Sequence, residues 1–203
     1  VPLLLEKANV GELIVKRLGL QPTQVPDWSQ WEEMVEKIFK QRPKLRIALV
    51  GKYVELHDAY MSVREALNHA AVDQDLDLDI DWIHSADLEK GRSQDLLAEA
   101  DGIVIPGGFG SRGVEGKIIA ARVARIHKKP FLGLCLGMQL MVVEFGRFIF
   151  NDESVNSFEF DHSTSHPVID LMPNQQHITD MGGTMRLGLY PCCLQPEDRK
   201  SVV

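Results

Sequence analysis

Between Leu45 and Phe145 the apolar residues follow two alternating rhythms: short runs that suit strands and 3.6-residue spacings that suit helices. Leu45–Val50 is a mostly apolar run that ends at Gly51, and Tyr60–Val72 has helical periodicity. Residues 77–82, Asp77-Leu78-Asp79-Ile80-Asp81-Trp82, alternate strictly and predict a strand with one wet face. A helix ends over Leu96–Ala100. Gly102–Ile105 is a compact strand stopped by Pro106-Gly107-Gly108. Val114–His127 reads as a helix with Ile118, Ala121, Val123 and Ile126 inward. Phe131–Leu134 reads as a buried strand and Gly137–Phe145 as a helix. Strands alternating with helices predict an α/β fold, a mostly parallel sheet with helices on both faces. Sites in such sheets form at the carboxyl ends of the strands.

Residues 1–44 carry a different pattern. Leu13, Ile14, Arg17 and Leu18 predict a short helix, and Pro22 and Pro26 then interrupt the chain. Asp27 suits the N-cap of a second helix with Trp28, Trp31, Val35 and Ile38 on one face. That helix ends near Gln41-Arg42-Pro43, since a residue before proline disfavours the helical region. Two helices without a strand make no core of their own. Residues 1–44 therefore read as a helical linker or docking arm, and 45–203 as the folded domain. Past Phe150 the rhythm weakens. His166–Leu171 can begin a strand, and Gly182–Gly188 is a loop of unusual composition.

Composition narrows the function classes. With 44% hydrophobic and 25% charged residues among 203, the chain can bury a core. A net charge of −7 argues against nucleic-acid partners, which need a basic face. Three cysteines, Cys135, Cys192 and Cys193, an odd and sparse count without a spaced framework, fit a reducing compartment, and no Cys/His spacing predicts a metal site. No signal peptide is visible. The most apolar stretch, Phe131–Val143, includes Gln139 and two glycines and is shorter than the roughly 18–20 residues of a membrane span. The expectation is a cytoplasmic protein without membrane association.

Two motifs sit where the sheet should place a site. Gly133-Leu134-Cys135-Leu136-Gly137 joins a strand to a helix in the layout of a nucleophile elbow, with cysteine as nucleophile. Glycines permit the tight turn, the helix N-terminus faces the sulfur and favours its thiolate, and the Leu136 N–H can donate to an oxyanion. A small apolar cysteine in a glycine-tolerant turn is the alternative. Pro106-Gly107-Gly108-Phe109-Gly110 follows another strand. It reads either as a glycine-rich turn or as a nest of N–H groups for developing negative charge.

Together these two motifs, with Met138-Gln139, resemble the class I (triad) glutamine amidotransferases. Within that group, Val50-Gly51-Lys52-Tyr53, Asp58-Ala59-Tyr60, Phe109–Gly116, Asn156–Phe160 and Gly182–Gly188 resemble the glutaminase domain of the CTP synthase family. The opening Val1-Pro2-Leu3-Leu4-Leu5 is similar to the tail of that family's synthetase domain. The resemblance implies that glutamine is hydrolysed through a thioester on Cys135 and that the ammonia aminates UTP to CTP. It implies an oxyanion site at Gly108 and Leu136, glutamine-binding positions at Gly137, Met138, Gln139 and Glu159, and a lid for the activator GTP at Arg112, Gly113, Val114 and Glu115. It places ATP and Mg in the synthetase domain, gives this domain no cofactor, and implies a homotetrameric full-length protein.

Two departures matter. Phe158 stands before Glu159 where the family has a small hydroxyl residue. The family's Phe-His-Pro-Glu-like motif, which carries the catalytic histidine and glutamate, does not occur in these 203 residues, since Val168 follows His166-Pro167. Its C-terminal glutamine-binding arginine is missing too. His57, His69, His84, His127, His162, His166 and His177 read as surface or loop residues. The expectation is a domain incomplete at its C-terminus, with the nucleophile but without turnover of its own. The competing readings are another elbow enzyme and a non-catalytic module of the same fold.

Overall fold

A computed structural model describes residues 1–22 and 24–171 of the chain. Three helices come first: α1 (Pro2–Lys7), α2 (Val10–Leu18) and α3 (Ser29–Phe39). None of them has a fully buried residue. Pro2 opens α1 at a position where its missing N–H costs nothing. Asp27 accepts the Ser29 N–H at 3.0 Å at the start of α3.

The domain proper begins with β1 (Lys44–Gly51). A single 3-10 turn at His57–Tyr60 leads into α4 (Met61–Asp73), followed by β2 (Asp77–His84), α5 (Ser85–Glu89), α6 (Gln94–Glu99) and β3 (Gly102–Ile105). Next come α7 (Val114–His127), β4 (Phe131–Gly133), α8 (Leu136–Phe150), β5 (Asn156–Ser157) and β6 (Pro167–Ile169). The main sheet has the order β2-β1-β3-β4, with every neighbouring pair parallel. Gly182–Gly188, Cys192, Cys193 and His177 lie outside the described residues.

Parallel strands covered on both faces should read as apolar runs, and β3 does: all four of its residues are buried. On one face Ala48, Val50, Ile103 and Ile105 pack with Leu97, Ala120 and Ala124. On the other, Leu49 meets Val54 and Tyr60. The alternation in β2 arises because β2 lies at the edge, where Asp79 faces solvent and Asp81 pairs with Arg46 of β1. Helix α7 differs from expectation in one respect. Its buried stripe runs through Val114, Lys117, Ile118, Ala121 and Ala124, while Ile126 is exposed. Spacings of three and four residues from Val114 place Lys117 inward and turn Ile126 away.

Helix α8 starts at Leu136 and continues five residues beyond Phe145. Its buried face includes two charges, both answered. Glu144 is held by Arg125 at 2.7 Å, and Arg147 forks onto both oxygens of Glu115 at 2.7 and 2.9 Å. A paired, hydrogen-bonded charge is the form in which burial is tolerated.

Candidate active site

The carboxyl ends of β1, β3 and β4 lie side by side, because these strands are parallel neighbours. They deliver Lys52-Tyr53, the Gly107–Gly110 loop and Cys135 to one end of the sheet.

Cys135 is exposed and adopts φ 51°, ψ −107°, a region that a non-glycine residue rarely occupies. Its neighbours explain how it stays there. A Cβ on Gly133 would lie 2.5 Å from the Gly137 carbonyl carbon and the Met138 nitrogen; one on Gly137 would lie 2.1 Å from the Ile105 oxygen. The elbow is thus pressed between the start of α8 and the end of β3. Hydrogen bonds tie it: Leu134 N–H to the Ile105 oxygen at 2.9 Å, Gly137 N–H to the Leu134 oxygen at 2.9 Å, and Met138 and Gln139 N–H to the Cys135 oxygen at 3.1 and 3.2 Å. The Leu136 N–H has no hydrogen-bond acceptor among the described residues, as expected for the first residue of a helix.

The second loop touches the first. A Cβ on Gly107 would sit 3.4 Å from the Cys135 Cβ, and one on Gly108 would sit 3.8 Å from the Leu136 side chain. The Gly108 N–H also has no acceptor among the described residues. Each of the two touching loops thus carries one N–H donor without an acceptor among the described residues.

A cavity of about 160 Å³ opens beside the Gly107–Gly108 loop, lined by Lys52, Tyr53, Arg112 and Lys117. Tyr60, buried, holds its β1 corner: its hydroxyl accepts the Lys52 N–H at 3.0 Å and the Tyr53 N–H at 3.3 Å. The Tyr53 ring takes Lys52 at 5.3 Å and Arg112 at 5.7 Å from its centroid.

The family model for class-I glutamine amidotransferases matches residues 55–203. The chain belongs to that family. It is 54% identical to the CTP synthase of Chloroflexus aurantiacus and 56% identical to that of Roseiflexus sp. strain RS-1, over 98% of its own length in each case. It spans 36% of the length of these curated relatives. Among solved structures it is similar to the Trypanosoma brucei CTPS glutaminase domain with bound acivicin, with 38% identity and a TM-score of 0.62, covering 66% of this chain and 52% of that one.

The remaining residues of this amidotransferase's expected site lie along α8 and beyond. Met138 is exposed and Gln139 half-buried in the first turn of α8. Glu159 lies just past β5, exposed; its N–H donates to Ser157 Oγ at 3.3 Å, and its carboxylate has no partner among the described residues. Phe158 before it donates its N–H to the Ile169 oxygen at 2.8 Å and sets its ring edge-on to His162. In the lid segment, Arg112 is exposed and Gly113 has φ 79°. Val114 is buried in the core, and Glu115 is engaged by Arg147. Arg147 also donates from Nε to the Val155 oxygen at 3.0 Å, linking this segment to the approach to β5.

Among the described residues no histidine hydrogen-bonds the Cys135 sulfur. His57 stacks on Trp82, His84 accepts the Ala86 N–H, and His166 lies beside Asp152. No helix among the described residues is long and apolar enough to cross a membrane. Tyr60 entered the sequence pattern only as a helix start and within the Asp58-Ala59-Tyr60 stretch, without a role, and Lys117 was not singled out in it. Lys117 left a signal: a lysine three residues after Val114, on the stripe continued by Ile118 and Ala121.

Proposed function

We propose that this chain is the glutamine-hydrolysing part of a CTP synthase and that Cys135 is its nucleophile. The observation that carries the reading is the strained, exposed Cys135 at the end of β4, abutting the glycine loop at the end of β3. The family membership and the similarity to CTP synthases support glutamine as its substrate.

The geometry is compatible with the following chemistry. The Cys135 thiolate adds to the side-chain amide carbon of glutamine, and the carbonyl electrons move onto oxygen. That oxyanion is held by the Gly108 and Leu136 N–H groups, donors fixed before the charge appears. The amide nitrogen takes up, through solvent, the proton that the Cys135 thiol gave up on ionising and leaves as ammonia while the C=O re-forms, giving a γ-glutamyl thioester. Water then cleaves the thioester to glutamate and returns the thiolate. In this reading Gly137, Met138 and Gln139 border the glutamine, and the unpartnered Glu159 carboxylate suits its α-ammonium. Arg112, Gly113, Val114 and Glu115 belong to the segment that responds to GTP. Residues 1–44 join this domain to a synthetase domain, where ATP and Mg would activate UTP for amination, in a homotetrameric cytoplasmic enzyme.

A glutamine-analogue electrophile tests the nucleophile. Peptide mass spectrometry should find the adduct on Cys135 and none on Cys192 or Cys193; modification of that pair with Cys135 untouched would overturn the assignment. The same 203-residue polypeptide should release ammonia from glutamine slowly or not at all. Its sequence lacks the family's histidine–glutamate motif, and general acid–base help is worth roughly 10²–10⁴-fold. Steady ammonia release would show that a base lies within these residues.

A further inference from the structure

Lys117 is 3% exposed, on the inward face of α7, and its Nζ lies 3.5 Å from where a Cβ on Gly108 would be. It has no hydrogen bond or ion pair among the described residues. That is unusual here, because the other buried charges, Glu144 and Arg147, are both answered. The carboxylates near it are occupied elsewhere: Glu89 of α5 accepts the Gly116 N–H, and Glu115 is engaged by Arg147. The other ionisable groups lining the cavity it borders are Lys52, Tyr53 and Tyr60 on the β1 side and Arg112 on the loop; Cys135 approaches through Gly107. Burial, and then the charge of Lys52, pull the Lys117 ammonium below the ordinary lysine value. The protein thus keeps a cation where its own groups disfavour one.

We infer that Lys117 is a positioning residue for the nucleophile: its ammonium, at the wall of the cavity beside Gly108, biases the Gly107–Gly108 loop and the Cys135 sulfur toward the anionic states that form there. The inference rests on the reading of Cys135 as the nucleophile. The contact chain runs from Lys117 to Gly108, across one peptide to Gly107, and on to Cys135. That path keeps the ammonium within roughly 10–15 Å of the sulfur, and the charge effect is taken at about 10 Å. A unit charge at that distance, in surroundings between a protein surface and water, changes the ionisation equilibrium by roughly 2- to 15-fold. Removing the cation should also relieve a desolvation cost, so the same change that slows Cys135 should strengthen the fold.

The test is the pH profile of Cys135 alkylation by iodoacetamide in the 203-residue chain, read on the Cys135 peptide from about pH 5 to about pH 10. Lys117→Met should react roughly 2- to 15-fold more slowly near pH 7, meet the parent rate at the alkaline end, and melt at a higher temperature. Lys117→Arg, which keeps the charge, should recover most of the neutral-pH rate. An unchanged profile in Lys117→Met overturns the inference. So does an equal slowing at every pH, which would mean altered access rather than altered ionisation. Should Lys117→Met fail to fold, Lys117→Gln is read by the same criteria, and loss of fold in both would make the lysine structural and refute the proposal. Iodoacetamide needs no glutamine site, so failure of the glutamine analogue to label the parent chain would count against the functional reading separately.

Discussion

The two glycine-bearing loops at the active end of the sheet look alike in sequence and differ in what their glycines do. In the elbow, a Cβ on Gly133 or Gly137 would collide with main chain at 2.5 and 2.1 Å. Backbone cannot step aside without moving β3 or α8. In the loop after β3, a Cβ on Gly107 or Gly108 would meet neighbours at 3.4 and 3.5 Å, which is ordinary contact. Neither residue has a positive φ, unlike Gly110 further along. The fold demands the first pair, whereas at the second pair a methyl would meet its protein neighbours at ordinary contact distance, so packing alone does not require glycine there. As motifs these glycines weigh equally; contact geometry separates the pair the packing requires from the pair it does not.

Gly137→Ala gives the largest effect this comparison predicts. The added methyl must push the end of β3 from the start of α8, and no rotamer change relieves a backbone clash. We expect a loss of roughly 3 kcal/mol or more, in the range where destabilisation has a specific mechanical cause. Urea melts of the parent and variant measure it. A loss under about 1 kcal/mol would mean that the elbow is looser than its contacts indicate, and the contrast between the two loops would collapse.

The elements that carry this contrast were legible in the sequence to different degrees. Strands β1 and β3 were readable because a buried parallel strand leaves an apolar run with a glycine or proline stop; β4 was found by the same run, but the expectation that it is buried fails, since among the described residues it is the sheet's other edge and Leu132 is exposed. The Cys135 elbow was readable because its steric demands leave glycines at fixed offsets on either side of the nucleophile. What stayed hidden depends on contacts distant in sequence. That β1 lies between β2 and β3 has no periodic trace. Helix α5 is five residues long and is capped by the His84 ring accepting the Ala86 N–H, a bond that no apolar rhythm reports. Two-residue β5 is defined by its partner β6 rather than by its own composition. Lys117 was passed over for the opposite reason. Lysine is ordinarily a surface residue, and only the helical phase relative to Val114 and Ile118 marks it as inward.

Gly108→Ala sharpens the comparison from the other side, with a smaller expected effect on the fold. The added methyl would face Lys117 Nζ, the end of a flexible side chain, and the Leu136 side chain at 3.8 Å. Both can yield by a few tenths of an ångström. Stability should therefore stay within about 1 kcal/mol of the parent, as for a substitution without a steric cause of collapse. Labelling by the glutamine analogue should nevertheless slow roughly tenfold, because the methyl occupies space beside the proposed oxyanion site and displaces an N–H whose value depends on placement. Iodoacetamide, small and without an α-amino acid group, should lose much less. If the two reagents slow equally, the methyl is hindering the sulfur itself and Gly108 has no particular relation to the oxyanion. A fold as damaged as that of Gly137→Ala would make both loops equally structural and remove the reason for assigning either glycine of the second loop to a ligand.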